Sequence, residues 1–266
     1  MSKNLATFDI DMLYNVLSKA KAKDFKSLST KKGRDRERLF IVEGEKGIRD
    51  TINYFNLRYL IATNAWLEQN PEVLPRYKDK ILATDKRGIE IISSLHNPSE
   101  VIAIFELPEE ITGQVSLDKT KSYLLLDEIQ DPGNLGTIIR TCDWFGIYDI
   151  FASPNTVDVY SPKVVQATMG SLARVKVSYV DLEDLILNNR DMKLIGTLLE
   201  GCPLKDIRIP RGSLILMGNE GNGISEKLKN LIDIAITIPP SNPQSHPDSL
   251  NVAIATAIIL SSITTT

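Results

Sequence analysis

Three polar segments contain the side chains best suited to chemistry. The first, LLLDEIQDPGNLGTIIRT, passes from an apolar run through a Pro-Gly-Asn turn into a helical pattern. Asn134 is placed to cap that helix, and Gly136 allows a neighbouring element to approach closely. Arg140 follows almost two turns later, and we expect it near the same side of the helix as Asn134. A guanidinium near a helix start suits a phosphate or a ribose-phosphate backbone. The alternative is an ion pair with a carboxylate of the preceding turn: Asp127, Glu128 or Asp131.

A second polar segment, LILMGNEGNGIS, has three glycines within six positions after another apolar run. Gly218, Gly221 and Gly223 can expose main-chain N–H and C=O groups to a planar base or a small polar ligand. The segment lacks the Lys-Ser/Thr of a phosphate-binding P-loop and does not match GxGxxG. The alternative is a plain turn from strand to helix, but such a turn does not need the carboxylate of Glu220.

The third polar segment, IPPSNPQSHPDSLNVAIATAIIL, joins a short strand to a helix that is apolar almost all round. A helix that is apolar on every side must be buried on every side, either inside the chain or against a second copy. Ser249 and Asn251 open this helix, and we expect both side chains to face a polar space at its buried end. The alternative for Ser249 is a simple helix cap.

Alternating strand-like and helical patterns surround these segments. In the second half, the predicted strands are 123–127, 149–152, 175–179, 194–198, 213–217 and 234–238. Apolar strands separated by helices indicate a parallel sheet covered on both faces, and the polar segments follow its strands, where ligands of such sheets bind. The first half, with a helix predicted over 8–27 and shorter strands, indicates a separate α/β unit of about 100 residues.

Composition limits the class of protein. A chain of 266 residues with 42% hydrophobic and 24% charged residues is long enough and apolar enough for two globular domains. No apolar run approaches the roughly 20 residues that span a membrane, and the N-terminal residues lack a secretory pattern, so we expect a cytoplasmic protein. Two cysteines, Cys142 and Cys202, indicate a reducing compartment, and without a Cys/His cluster no structural metal is expected.

Positive charge is concentrated between residues 19 and 38, although the net charge of the chain is −3. This stretch has nine Lys/Arg and three Asp/Glu, a local charge of +6, which predicts a phosphate-binding face. The alternative is a solvated helix face, the usual meaning of a charge run. The candidate RNA-binding side chains are Lys31, Lys32, Arg34, Arg36 and Arg38.

Taken together, the segments resemble the SpoU (TrmH) family of RNA ribose 2′-O-methyltransferases, within the SPOUT superfamily. DPGNLGTIIRT followed by FG, then SPKVV and MGS, then MGNEGNGIS, then IP…SLNVA occur in the family's order and spacing across residues 122–262. In the first half, KKGRDRERLFIVEGEKGIRD and NPSEVIAIFELP resemble the family's accessory domain, a ribosomal-protein-like α/β/α RNA binder.

The resemblance implies an α/β fold whose C-terminal helix passes through a loop to form a trefoil knot. It implies an RNA-binding domain over residues 1–115 and a knotted catalytic domain over 116–266. It also implies S-adenosylmethionine (SAM) as cofactor, RNA (ribosomal RNA ahead of transfer RNA) as substrate, and a homodimer through the knotted helices, with no DNA, membrane or metal. The implied catalytic residues are Asn134, Arg140, Glu220, Ser249 and Asn251. The implied cofactor-binding residues are Thr197, Leu198, Met217, Gly218, Glu220, Gly221, Ile238 and Leu250.

By the same resemblance, Arg140 would bind the target ribose-phosphate and favour loss of the hydroxyl proton or accept it, while Asn134, Ser249 and Asn251 orient the ribose and Arg140. The 2′-hydroxyl is present only in RNA. The runner-up reading is a catalytically silent RNA-binding or ribosome-assembly protein of the same fold. A nucleotide-dependent oxidoreductase is the third, against which the missing GxGxxG argues.

The chain departs from the family pattern at two places. Gln166 stands after SPKVV where the family commonly has Arg, which leaves one phosphate contact without its usual residue. The loop between Pro239 and Ser249 is longer than usual, with prolines at 240, 243 and 247 and no glycine. His246 lies in that loop, and no role is assigned to it.

Overall fold

A computed structural model of the chain describes residues 14–109, 115–242, 244 and 247–264. Its residues form two compact units. The first extends to Pro108 and also includes Tyr160–Gln166, whereas the second comprises Glu109–Val159 and Ala167–Thr266. The domain boundary after residue 115 remains a prediction, and nothing in the sequence indicated that residues 160–166 would join the first unit.

The first unit contains a mixed five-stranded sheet with the strand order β1-β4-β3-β5-β2. β1 and β3 run parallel to β4, whereas β5 runs antiparallel to both β3 and β2. The strands are β1 (Asn15–Val16), β2 (Leu39–Glu43), β3 (Leu57–Thr63), β4 (Ile81–Thr84) and β5 (Val101–Glu106). The helices are α1 (Lys19–Ser27), α2 (Lys31–Glu37), α3 (Glu45–Thr51), α4 (Asn64–Gln69), α5 (Leu74–Tyr77) and α6 (Lys86–Ile92).

The first helix begins later than predicted. Instead of a helix over 8–27, Asn15–Val16 pairs with β4, and α1 begins at Lys19 because the Ser18 side chain accepts a hydrogen bond from the Lys21 N–H at 3.2 Å. Two of the residues in the predicted helical pattern, Ile10 and Leu13, lie outside the described residues. The apolar spacing was therefore a weaker signal than the serine cap.

Aromatic packing explains why residues 160–166 belong to the first unit. The Tyr160 ring lies 4.8 Å from the Phe40 ring, centroid to centroid, and 6.4 Å from that of Phe55. Phe40 and Phe105 are fully buried on neighbouring strands. Rings at these separations contribute more than their buried area alone, so Tyr160 anchors its segment to this core.

The second unit contains a six-stranded sheet in which every neighbouring pair is parallel, with the order β11-β9-β10-β6-β7-β8. This confirms the predicted parallel sheet; the knot remains a prediction. The strands are β6 (Tyr123–Leu126), β7 (Asp149–Ala152), β8 (Lys176–Tyr179), β9 (Lys193–Pro203), β10 (Ser213–Met217) and β11 (Ile234–Thr237). The helices in this half of the chain are α7 (Pro132–Phe145), α8 (Pro162–Ala167), α9 (Leu182–Leu187), α10 (Glu226–Lys229) and α11 (Val252–Thr264). Within the described ranges, no helix is both long and apolar enough to cross a membrane.

β9 is longer than the predicted strand at 194–198 because it contains a bulge. Ala235 of β11 pairs with Gly196, but the next residue, Ile236, pairs with Cys202. Residues 197–201 therefore leave the ladder at this edge of the sheet. A Cβ on Gly201 would lie 2.8 Å from the Ala235 carbonyl oxygen, so the chain needs a glycine where the bulge passes β11.

α11 packs against α7 but is not buried on every side within one chain. Ile259 and Leu260 are buried, whereas 53% of Ile254 and 37% of Ile258 are exposed. The sequence prediction allowed burial inside the chain or against a second copy, and the single chain covers only one face of this helix.

Gly136 sets how closely α7 approaches Ala167, which belongs to the same unit. A Cβ at this position would lie 2.3 Å from the Ala167 Cβ and 3.0 Å from the Ala167 carbonyl carbon. Neither atom belongs to a flexible side chain, so the main chain at one of the two positions would have to move. Gly136 is also buried inside a helix, where alanine would otherwise be favoured by about 1 kcal/mol.

We predict that Gly136→Ala lowers the free energy of unfolding by about 1–3 kcal/mol, because the steric overlap outweighs the gain in helix propensity. Urea denaturation of Gly136→Ala, Ala167→Gly and the double variant measures the effect, and a double-mutant cycle should show that the two changes compensate in part. A Gly136→Ala variant as stable as the unchanged protein would contradict the close contact.

Candidate active site

The loop between β6 and α7 presents Asn134 to the carboxyl ends of the strands. Asp131, rather than Asn134, caps α7: its Oδ1 accepts a hydrogen bond from the Asn134 N–H at 2.7 Å. Pro132 occupies the first turn of the helix, where a missing N–H costs nothing. The predicted capping role of Asn134 is therefore wrong, and its side-chain amide remains free for other partners.

Three side chains from separate segments form one hydrogen-bonded chain, which we call the amide chain. Asn251 Nδ2 donates to Asn134 Oδ1 at 2.9 Å, and Asn134 Nδ2 donates to Glu220 Oε1 at 2.7 Å. Asn251 Oδ1 accepts from the N–H groups of Ala253 and Ile254 at the start of α11. Because that oxygen faces the helix, the Asn251 NH2 must face Asn134, and the Asn134 NH2 must then face the carboxylate.

The remaining two predicted catalytic residues are not bonded to the amide chain. Arg140 lies six residues after Asn134, which on an α-helix of 3.6 residues per turn is about 120° around the axis, so the expected same-side placement is wrong. Its exposed guanidinium has no hydrogen-bond or ion-pair partner among the described residues. The hydroxyl of Ser249 is likewise exposed and has no partner in the described part of the chain. Asn251, and not Ser249, caps α11.

The three carboxylates considered as ion-pair partners of Arg140 each accept a different hydrogen bond. Asp127, which is 4% exposed, accepts from the Ser225 N–H at 2.8 Å, and Glu128 accepts from Asn155 Nδ2 at 2.8 Å. Asp131 caps α7. The ion-pair alternative therefore has no support, and the positive charge of Arg140 is left for a ligand.

Asn219 organises the glycine-rich loop, a role the sequence analysis missed. Its Oδ1 accepts from the N–H groups of Gly221 and Asn222 at 2.8 and 3.0 Å, and its Nδ2 donates to the Glu128 carbonyl at 2.7 Å. An asparagine that bonds the main chain two residues on is a known turn signal, and MGNEG contains it. The Gly221 N–H is already used in this turn, so it cannot also bind a cofactor.

The first glycine of this loop is required by close packing of the main chain. A Cβ on Gly218 would lie 2.3 Å from both the Gly223 carbonyl carbon and the Ile224 nitrogen. Asn219 and Gly223 exchange two main-chain hydrogen bonds of 2.9 Å across the same turn. The loop is thus closed on itself and holds Glu220 at its outer end.

Main-chain groups without partners mark where a cofactor could bind. Gly218 and Ile238 are half-buried and Leu250 is exposed, and none of them forms a main-chain hydrogen bond within the described residues. Half-buried N–H and C=O groups are normally paired, so these positions fit a ligand with several polar atoms. All three are among the cofactor-binding positions that the family resemblance implies.

The other predicted cofactor residues surround the end of β10. Thr197 and Leu198 lie in the bulge of β9, and the Thr197 hydroxyl donates to Met217 Sδ at 3.1 Å. Met217 belongs to the core, being 2% exposed, and its carbonyl accepts a hydrogen bond from the Asp127 N–H at 2.9 Å. The bulge therefore releases residues 197–201 from the ladder next to the end of β10.

The basic stretch belongs to the first unit. Lys31, Lys32, Arg36 and Arg38 are exposed, in agreement with a role in binding phosphate. Arg34 is only 3% exposed, and its guanidinium donates to the Leu28 carbonyl at 2.8 Å, so its predicted RNA contact is wrong. The position of Arg34 along the helix places it on the inner face of α2.

Gln166 is exposed on α8. His246 lies outside the described residues.

Comparisons with known proteins identify the family to which the two halves of the chain are similar. A family model described as the SpoU rRNA Methylase family matches residues 121–261, and one described as an MRM3-like substrate binding domain matches residues 19–103. The chain is 29% identical over 247 residues to the 23S rRNA (guanosine(2553)-2′-O)-methyltransferase RlmP of Bacillus subtilis, covering 90% of this chain and 94% of that protein.

Two solved structures are similar over nearly the whole chain. A TrmH-family protein from Porphyromonas gingivalis superimposes with a TM-score of 0.81 and 35% identity, covering 93% of this chain and 98% of that one. An AdoMet-bound rRNA methyltransferase from Sinorhizobium meliloti has a TM-score of 0.79 and 31% identity, covering 92% and 94%. With its amide chain, its closed glycine-rich loop and a family match over more than half of its length, this chain belongs to the SpoU rRNA methylase family.

Proposed function

We propose that this protein transfers a methyl group from S-adenosylmethionine to the 2′-hydroxyl of a ribose in ribosomal RNA. The observation that carries the proposal is the amide chain, which joins Asn134, Glu220 and Asn251 from three distant segments at one end of the parallel sheet. The relative from Bacillus subtilis, named as a 23S rRNA 2′-O-methyltransferase, supports the substrate class. Ribosomal RNA is favoured over transfer RNA on this ground.

S-adenosylmethionine is the cofactor, and when bound it supplies an activated methyl group. The residues that would hold it are those with unused main-chain groups, Gly218, Ile238 and Leu250. Thr197 and Leu198, in the bulge of β9, would form another side of the cofactor site. Because the cofactor supplies the activated methyl group, the protein has to position the ribose and to stabilise the negative charge that develops on its 2′-oxygen.

Arg140 provides the positive charge that stabilises the ribose oxygen. Its guanidinium is exposed and without a partner in the described part of the chain, so it can bind a phosphate of the target nucleotide. A fixed positive charge beside the ribose favours loss of the hydroxyl proton, which leaves to water. Since the side chain is exposed here, we assign it this electrostatic role and not that of a base.

The amide chain fixes polar atoms around the target ribose. Only one oxygen of Glu220 is bonded to Asn134, and Oε2 accepts no hydrogen bond from a described residue. That oxygen is free to accept a hydrogen bond from a ribose hydroxyl or from the cofactor. Asn134 holds the carboxylate in place, and Asn251 holds Asn134, so the geometry is set before substrate arrives.

We further propose that the protein forms a homodimer through the outer faces of α7 and α11, in the cytoplasm where ribosomal RNA is found. Large apolar side chains are exposed on both of these packed helices: Trp144 is 85% exposed, Ile254 53% and Ile258 37%. Several exposed apolar side chains on adjoining elements are typical of an interface. A second copy would bury the face of α11 that one chain leaves open.

We predict that Arg140→Ala lowers the rate of methyl transfer by about 100-fold or more, because a charge aimed at the reacting oxygen is lost. Binding of SAM, measured by calorimetry, should be unchanged. The matched control is Arg211→Ala, an exposed arginine just before β10, at the opposite end of that strand from Gly218. Equal activity of Arg140→Ala and the control would contradict the assigned role.

We predict that Asn134→Asp lowers methyl transfer by about 10- to 100-fold, because a carboxylate would replace the amide that donates to Glu220 and the two negative groups would repel. Asn155→Asp is the matched control, since Asn155 makes the same kind of contact with Glu128 outside the amide chain. Single-turnover methylation and thermal unfolding are measured for both. A loss of activity explained by unfolding, or an equal loss in both variants, would count against the amide chain.

We predict that Ile254→Glu combined with Ile258→Glu converts a dimer into a monomer. Each subunit would place two carboxylates without partners against the apolar surface of the other subunit, which is unfavourable. Sedimentation velocity measures the change. Leu187→Glu, which alters another half-exposed apolar side chain at the end of α9, should leave the dimer intact. An unchanged protein that sediments as a monomer at all tested concentrations would rule the dimer out.

A further inference from the structure

A cavity of about 500 Å³ opens in the first unit, at the end of the sheet where β2 and β3 begin and β5 ends. Its volume is in the range of sites for small molecules. α1 forms one wall and the start of β3 another. The lining residues that matter are Lys21, Asp24, Phe25, Arg38, Arg58 and Tyr59.

The aromatic side chains of the cavity lie beside positive charge. The Lys21 ammonium is 4.0 Å from the centroid of the Tyr59 ring and 5.8 Å from that of Phe25. The Arg58 guanidinium is 5.9 Å from the Tyr59 ring. Among the described residues no carboxylate lies within ion-pair distance of Lys21, so its charge is balanced only by the rings and the Tyr59 hydroxyl.

The state of Tyr59 reflects this positive potential. The hydrogen bond from Lys21 and the charges of Lys21 and Arg58 outweigh the opposing effect of burial, and they hold the pKa of Tyr59 below its ordinary value. The cavity thus combines an aromatic surface with the ammonium of Lys21, which no carboxylate of a described residue balances. Phosphate oxygens are acceptors suited to this ammonium.

A carboxylate on the same wall, that of Asp24, adds a negatively charged hydrogen-bond acceptor to the cavity. Asp24 is exposed one turn after Lys21, and its carboxylate has no partner among the residues that the structure describes. The other two acids of the lining are engaged: Glu37 accepts from Arg36 at 2.7 Å and Glu106 from Asn56 at 2.7 Å. A carboxylate without a partner, Asp24, and an ammonium without a carboxylate partner, Lys21, therefore line the same space.

We propose that this cavity holds one unpaired nucleotide of the RNA substrate, an inference that rests on the proposed function. The base packs against the apolar floor formed by Phe25, Leu39 and Tyr59, and Asp24 accepts a hydrogen bond from a ring N–H or amino group of that base. Lys21 binds the adjoining phosphate. A site for a simple anion would not contain an unpaired carboxylate such as Asp24, whereas a nucleotide uses an aromatic surface, a cation and an acceptor together.

The site selects single-stranded RNA, because in a duplex the edge of the base is already paired and its faces are stacked. This separates it from the exposed lysines of α2, such as Lys31 and Lys32, which can meet phosphates of any strand. The cavity therefore recognises a bulged or looped nucleotide, while the basic stretch contributes charge without reading the base.

The test compares Lys21→Ala and Asp24→Asn with Lys23→Ala in the full-length protein. Lys23 is an exposed lysine on the same helix that does not line the cavity. Binding of a short labelled single-stranded RNA of mixed sequence, and of the same RNA annealed to its complement, is measured by fluorescence anisotropy at one salt concentration. We expect the Kd for the single strand to rise about fivefold or more in Lys21→Ala and Asp24→Asn, and less than about twofold in Lys23→Ala.

The duplex should bind equally to all three variants, and the affinity for SAM should not change in any of them. Equal loss in Lys21→Ala and Lys23→Ala, or equal sensitivity of duplex binding, would overturn the nucleotide site. If the unchanged protein methylated no RNA while Lys21→Ala still bound the single strand less tightly than Lys23→Ala, the proposed function would fail and the nucleotide site would stand. If methyl transfer occurred and these variants bound RNA equally, the nucleotide site alone would fail.

Discussion

The hydrogen bond from Asn134 to Glu220 is the contact on which the active-site arrangement depends. Each side chain comes from a loop at the end of a different buried strand, so their approach requires β6 and β10 to be neighbours in register. Asp131 takes over the cap of α7, which frees the Asn134 amide to turn outward. Asn251 then orders the start of α11 against the same amide. Two side-chain hydrogen bonds in this way join the loop after β6, the glycine-rich loop and the start of α11.

The loops at this end of the sheet are held by side chains bonding to main chain, since no ladder remains to satisfy their polar groups. Asn219 closes the glycine-rich turn and ties it to the loop after β6 through the Glu128 carbonyl. The glycines at 201 and 218 permit main-chain contacts too close for any side chain. The main-chain N–H and C=O groups of Gly218, Ile238 and Leu250, which have no partner among the described residues, are then available to a ligand. The same local hydrogen bonds that hold these loops leave the main-chain groups of these three residues without a partner among the described residues.

The sequence predicted the parallel sheet because its strands are short apolar runs, and local composition decides such runs. It placed Asn134, Glu220 and Asn251 near one another because strand ends converge. It failed where the outcome depends on competition or on distant partners. Asp131 and Asn134 are both good caps, and only the three-dimensional structure shows which is used. The bulge of β9 is set by the register of β11, which no local pattern encodes. Arg34 was grouped with its neighbours by charge, although the helix turns it inward.

Methylation of ribose is tested by transfer of labelled methyl from SAM to total RNA taken from cells that lack this protein, followed by digestion to nucleosides. We expect label in one 2′-O-methylnucleoside, since a positioned ribose hydroxyl is the acceptor. Label on a base, or no label from a protein that still binds SAM and is supplied with both naked RNA and ribosomal particles, would contradict it.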